Sequence, residues 1–197
     1  MDNYQISRDR AQAYFLGFDQ EKLIRDGDLQ YDAQRIYTNF FGRPYAIDRQ
    51  SGVVTRLFDG AQAGYEEVMT IFDLLCHKGE HKILSGKLAP VNSLKGAAAA
   101  GVDTNFYGDI ATRFDKNPET FAAACRKLGG QEVAMGDMGF RFPVFGGLDV
   151  ILKFYRSDEE FPAGLTLLWD ENTLQFMFYE TVFYAAGFLL HAIEQMM

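Results

Sequence analysis

The sequence predicts an α+β protein, with antiparallel sheet elements, several packed helices and a C-terminal buried helix. Three observations lead there. Ile6–Arg25 and Gly64–His77 place apolar residues at helical intervals. Short aromatic and β-branched runs, punctuated by glycine, fill the stretches 35–57 and 131–169. Leu174–Ile193 is almost continuously apolar and closes the chain. The order helix, meander, helices, sheet, helix is that of an α+β arrangement. With 197 residues, 48% of them hydrophobic and 15% aromatic, there is material for one core, and a single domain over 1–197 is expected.

The elements follow in order. In Ile6–Arg25 the residues Ala11, Tyr14, Phe15, Phe18 and Leu23 make the apolar stripe of one amphipathic helix, with Gly27 as its stop. Arg35–Phe41, Tyr45–Asp48 and Val53–Leu57 read as a small antiparallel meander, turned at Gly42-Arg43-Pro44 and at Ser51-Gly52. Tyr65, Val68, Ile71, Phe72 and Leu75 line one side of the helix over Gly64–His77. Lys82–Pro90 holds a short strand, and Val91–Gly101 is a loop. Phe106–Phe114 and Pro118–Leu128 are helical, the second with Asn117 as N-cap, Pro118 in the first turn and Gly129-Gly130 beyond its end. Gln131–Met135, Phe140–Val144, Leu148–Tyr155 and Leu165–Trp169 are strands, and the last helix begins near Thr173.

Charge and cysteine usage exclude several functions. The net charge is −8, and eight acids stand against Lys153 and Arg156 from Phe142 onward. Such a surface repels phosphate backbones, so no nucleic-acid partner is expected. Cys76 and Cys125 cannot make a disulfide framework, and the N-terminus lacks the pattern of a signal peptide, which together favour the cytoplasm. Glu180, His191 and Glu194 argue against Leu174–Ile193 as a membrane span, and no basic flank adjoins it. Two cysteines also cannot hold a four-cysteine iron–sulfur cluster.

The candidate site residues fall in three groups. Asp158, Glu159 and Glu160 precede Phe161-Pro162 in a loop between two strands, where crowded carboxylates need water, a cation or hydrogen-bond donors. The loop reads as solvated with Phe161 tucked into the core, as a partner surface, or as a hard-cation site joined by Asp170. Glu180 and His191 share one face of the last helix with Tyr184 and Gly187, about 16 Å apart at the helical rise. They are either ligand-binding groups on an apolar helix or partners of a neighbouring element, and Gly187 admits close approach of such an element. Cys76, His77, Glu80 and His81 lie within six residues, but Gly79 interrupts the helix and no second cluster completes four metal ligands. The run Gly96–Gly101 lacks the lysine and hydroxyl residues that complete a phosphate loop, and nucleophile-elbow and zinc-helix motifs are absent.

The C-terminal half carries a resemblance. Phe142-Pro143-Val144-Phe145, Leu148–Phe154, Asp158-Glu159-Glu160-Phe161-Pro162 and Leu165-Thr166-Leu167-Leu168-Trp169-Asp170 resemble the family called Domain of Unknown Function 3786, with Trp169 in place of the usual Phe. The resemblance is strongest over 129–190. It implies anaerobic bacteria or archaea and no assigned catalytic residues. Some relatives carry a cysteine-rich iron–sulfur module, from which this chain departs. The expectation is a module that binds a small ligand or a protein partner, or forms a homodimer, without catalysis of its own. The alternative is a metal-assisted enzyme using Asp158 and Glu160 with Asp170 or His191.

Overall fold

Among the described residues two antiparallel sheets and six α-helices form the α+β architecture that the pattern predicts. The computed structural model describes residues 3–77, 82–97 and 107–197. The first sheet has the order β1-β2-β3, from β1 (Arg35–Phe40), β2 (Arg43–Asp48) and β3 (Val54–Arg56). The second has the order β4-β8-β7-β6-β5, from β4 (Leu88–Pro90), β5 (Gln131–Glu132), β6 (Met138–Phe145), β7 (Leu148–Tyr155) and β8 (Gly164–Asp170). A backbone bond from Phe41 N–H to the Val144 carbonyl, 3.2 Å, ties the β1–β2 turn to β6. That bond falls beside Pro143, where β6 is bulged and its pairing with β5 has already ended.

The expected single helix over Ile6–Arg25 is two helices, α1 (Asn3–Leu16) and α2 (Gln20–Gly27). The apolar stripe runs on, but Asp19 breaks the backbone. Its carboxylate accepts the Lys22 N–H at 3.0 Å and caps α2, which sets the chain off in a new direction. The stop is Asp28 in the left-handed region rather than Gly27, which is the last helical residue. The first hairpin also turns one step earlier than expected. Phe41-Gly42 is the two-residue loop, with positive φ at both positions, and Pro44 lies inside β2. The Phe41 ring, packed against Phe40 and Phe188, holds its residue in that disfavoured conformation.

The helix α3 (Tyr65–Cys76) packs against α1 and against α6 (Tyr179–Met196), and α6 also meets α5 (Pro118–Lys127). The Phe15 ring of α1 stacks on Phe72 of α3 at 4.9 Å. Asn117 accepts the Thr120 N–H and begins α5 where the sequence places it. From α5, Phe121 reaches Phe114 of α4 (Gly108–Asp115) and Phe154 of β7, at 4.7 and 5.1 Å between ring centres. One contiguous core cluster takes residues from both sheets and from all six helices.

The last helix starts later than expected: a 3-10 turn at Thr173–Gln175 precedes it, and α6 begins at Tyr179. Thr173 explains the delay, because its hydroxyl donates to the Asp170 carbonyl at 2.6 Å and folds the chain back on the end of β8. Val182, Ala185, Ala186, Leu189, Leu190 and Ile193 bury one side of α6, while Glu180 and His191 are exposed on the other. Among the described residues no helix is long and apolar enough to cross a membrane.

Candidate functional site

The acidic loop is built from polar anchors. Asp115, at the end of α4, accepts the Ser157 hydroxyl at 2.5 Å, and Asp137 accepts the Arg156 N–H at 2.8 Å. Asp158 then folds the loop on itself, taking the N–H groups of Phe161 and Glu160 at 2.7 and 2.8 Å. Those backbone donors, Phe161 first, hold its carboxyl below the usual aspartate value. Glu159 and Glu160 are exposed.

Phe161 corrects an expectation: it is 66% exposed rather than tucked into the core. The Asp158 turn closes the loop without it. Phe161→Ser is therefore expected to change stability by less than about 0.5 kcal/mol in urea unfolding. A cost above about 1 kcal/mol would show that the ring packs.

Asp170 does not join this loop. The two stand at opposite ends of β8, roughly 20 Å apart for a seven-residue strand. Asp170 is buried instead against Ser85-Gly86, accepting from both backbone N–H groups and from the Ser85 hydroxyl.

Glu180 and His191 do not meet either, but each reaches α3. Glu180 accepts the Tyr184 hydroxyl at 2.5 Å, and Tyr184 lies 3.4 Å from the Tyr65 hydroxyl. His191 Nδ1 stands 3.8 Å from Glu66 Oε2. Between them Gly187 lets the Glu66 carboxylate close on α6, since a Cβ there would lie 2.6 Å from Glu66 Oε1. Burial raises the Glu66 pKa, and His191 opposes that rise. These residues form a helix–helix seam, with Glu180 and His191 themselves open to solvent.

Of the cysteine–histidine cluster, His81 and Glu80 lie outside the described residues. Cys76 is buried, and burial pushes its thiol up to about 12. His77 caps the C-terminal end of α3, with Nδ1 at 3.4 Å from Asp73 and its ring edge-on to Phe178. No group of three metal-ligating side chains occurs among the described residues. Most of Gly96–Gly101 likewise lies outside them.

His77 belongs to a feature that the sequence pattern does not reveal. A cleft of about 820 Å³ lies between α2, the C-terminal end of α3 and the β6–β7 turn. Phe18, Leu23, Leu75, Phe145 and Phe176 give it apolar walls, and Lys22, Asp26, His77 and Lys82 line it with polar groups. The turn that borders it is Gly146-Gly147, with φ of 52° and 86°; the two-residue connection from Phe145 to Leu148 requires residues that tolerate positive φ. A second cleft of about 410 Å³ adjoins the first, sharing Gly27, Phe145 and Gly146.

The Lys82 ammonium donates to the Leu74 carbonyl at 3.2 Å, and burial lowers its pKa against the opposing pull of Asp73, Cys76 and Asp26. None of the cleft's polar groups except His77 was indicated by motif or spacing. They come from two segments distant in sequence, α2 and the stretch around the end of α3, and only the fold assembles them.

With the loop, the seam and the cleft in place, the sheet that carries Asp158–Pro162 between β7 and β8 can be set beside known proteins. A family model described as Domain of unknown function (DUF3786) matches residues 19–192. The chain belongs to the DUF3786 family. The match reaches well beyond the stretch 129–190 on which the likeness is strongest by motif, and it takes in the second cleft and all of the first but Gly17 and Phe18. No curated protein and no solved structure matches the chain.

Proposed function

We propose that this DUF3786 domain is a binding module for a small molecule, seated in the cleft between α2, α3 and the β6–β7 turn. The carrying observation is the cleft itself. Its volume of about 820 Å³ lies within the range of small-ligand sites, and its lining mixes apolar walls with a few polar groups. The reading assigns the protein no catalysis of its own. The charge of −8 supports a partner other than nucleic acid, and the absence of disulfide pairing between the two buried cysteines is compatible with a cytoplasmic place.

Thermal-shift measurement across a small-molecule library tests this reading. The native protein should be stabilised by at least one compound, and Gly17→Trp should abolish that shift. Gly17 lines the cleft, and a Cβ there meets only the Ala13 and Tyr14 carbonyls at 3.6 Å, so the backbone tolerates a side chain that narrows the opening. A shift that survives Gly17→Trp would place the ligand elsewhere. Adding magnesium, calcium, manganese or zinc to the same assay addresses the metal-assisted alternative. Stabilisation by a divalent cation, lost in Glu160→Ala, would favour the acidic loop as the site.

A further inference from the structure

We infer that the cleft selects an amphipathic anion, a molecule with an apolar body and one carboxylate or phosphate group bound by Lys82 and His77. The inference rests on the cleft being the binding site, and it comes from accounting for the charged groups of the described residues around it.

Among the described residues the acids are committed. Asp19 caps α2 through the Lys22 N–H, and Asp26 is paired with the Lys22 ammonium. Asp73 accepts the Phe178 N–H at 2.7 Å with one oxygen and faces His77 with the other. The negative end of α3 is itself covered, because Lys82 donates to the Leu74 carbonyl in the last turn.

What remains toward the cleft is donor capacity. An ammonium has three hydrogens, of which the Leu74 carbonyl takes one. With Nδ1 of His77 directed to Asp73, its Nε2 has no partner among the described residues. In the imidazolium form, with Nδ1–H given to Asp73, the ring presents Nε2–H as a second donor to the cleft.

Lys82 is also held in place. Its neighbour Ile83 is bonded through its carbonyl to Asn172 at 3.0 Å, and Ser85-Gly86 is fastened to Asp170. The ammonium is thus set against the cleft by a backbone tied at two points, which lowers the ordering cost of a bound ligand. The ammonium would give an anion's headgroup charge-assisted hydrogen bonds. The apolar walls, from Leu23, Leu75, Phe145 and Phe176, take the remainder of the ligand.

The test uses octanoate, octyl phosphate, octanol and octyltrimethylammonium as probes, in calorimetric titrations of the full chain. One or both anions should bind at least tenfold more tightly than octanol, and the comparison of the two identifies the headgroup. Lys82→Met should weaken the favoured anion about tenfold and leave octanol unchanged, Lys82→Arg should retain most of the affinity, and Lys127→Met, at the far end of α5, should retain all of it. Equal binding of octanol and the anions would overturn the selectivity while leaving the cleft as a site. Tighter binding of the cationic probe, or anion affinity unaffected by Lys82→Met, would overturn it equally. If none of the four probes binds, the selectivity fails, and the library screen then decides whether the cleft binds anything.

Discussion

Glu67→Ala is expected to lower the free energy of unfolding by about 3 kcal/mol, or roughly 10 °C in melting temperature. Glu67 is 3% exposed and sits at the start of α3. One of its oxygens accepts the Tyr45 hydroxyl at 2.6 Å, and the other accepts the Gly64 N–H at 2.5 Å. Tyr45 is fully buried at the centre of the first sheet. Removing the carboxylate leaves its hydroxyl without an acceptor, which costs about 1–3 kcal/mol. It also removes the side-chain acceptor of the Gly64 N–H at the start of α3, worth about 1 kcal/mol. Arg56, 3.7 Å from the same carboxylate, adds little because it also reaches Asp59 at the surface.

Glu67→Gln keeps an acceptor for Tyr45 and should recover more than half of the loss. In a double-mutant cycle, Tyr45→Phe should make Glu67→Ala cheaper, since the hydroxyl left stranded is then gone. Urea unfolding of the four proteins checks both statements. A cost below about 1 kcal/mol for Glu67→Ala would show that Tyr45 finds another partner. Burial raises the Tyr45 pKa first and the Glu67 bond second, so the phenol is a donor throughout the accessible range.

Much of the fold was legible because its signals are local. The strands β6 to β8 alternate or run apolar between glycine turns, and Asn117-Pro118 announces α5 with both cap residues in sequence. The failures share one cause. Over Ile6–Arg25 the helical periodicity passes through Gly17 and Asp19 unbroken, so the pattern cannot show that Asp19 turns its side chain to the backbone and starts a second helix. Near Thr173 the apolar run begins before the helix does, for the same reason: a hydroxyl bond to Asp170 outweighs the pattern. Phe161-Pro162 reads as an anchor by composition, yet Asp115, Asp137 and Asp158 do the anchoring through hydrogen bonds that no periodicity encodes.

The candidate site was less legible still. Lys22, Lys82 and Phe176 have no common spacing, and only the packing of α2 against α3 and the reach of the β6–β7 turn bring them together. Gly187 is the instructive exception. Its place between Glu180 and His191 signals close approach of a neighbouring element, and the Glu66 carboxylate of α3 occupies that space.

Asp170→Asn is expected to cost about 3 kcal/mol at neutral pH and progressively less in acid. The carboxylate is 6% exposed and gathers the N–H groups of Ser85, Gly86 and Asn172 at 3.0, 2.7 and 2.8 Å. An amide in its place offers one acceptor oxygen and turns an NH₂ toward the remaining donors. Burial alone would raise the Asp170 pKa, but the bonds from Ser85, Asn172 and Gly86 outweigh it and the carboxyl lies below 3.8. A folded-state value below the unfolded one means that the unfolded chain takes up the proton first. The stabilisation is therefore complete above about pH 4 and disappears as pH falls through the lowered folded value. Urea unfolding of the native protein and Asp170→Asn should show the largest difference at neutral pH and a converging pair below that value. A difference that persists unchanged into acid would mean that the site depends on shape rather than charge. Since Ser85-Gly86 ties the segment that begins at Lys82 to the end of β8, Asp170→Asn should also weaken the anion binding proposed at Lys82, though its own carboxylate does not line the cleft. On that proposal a buried acid that the sequence offers as a metal ligand acts on the cleft through the backbone it holds.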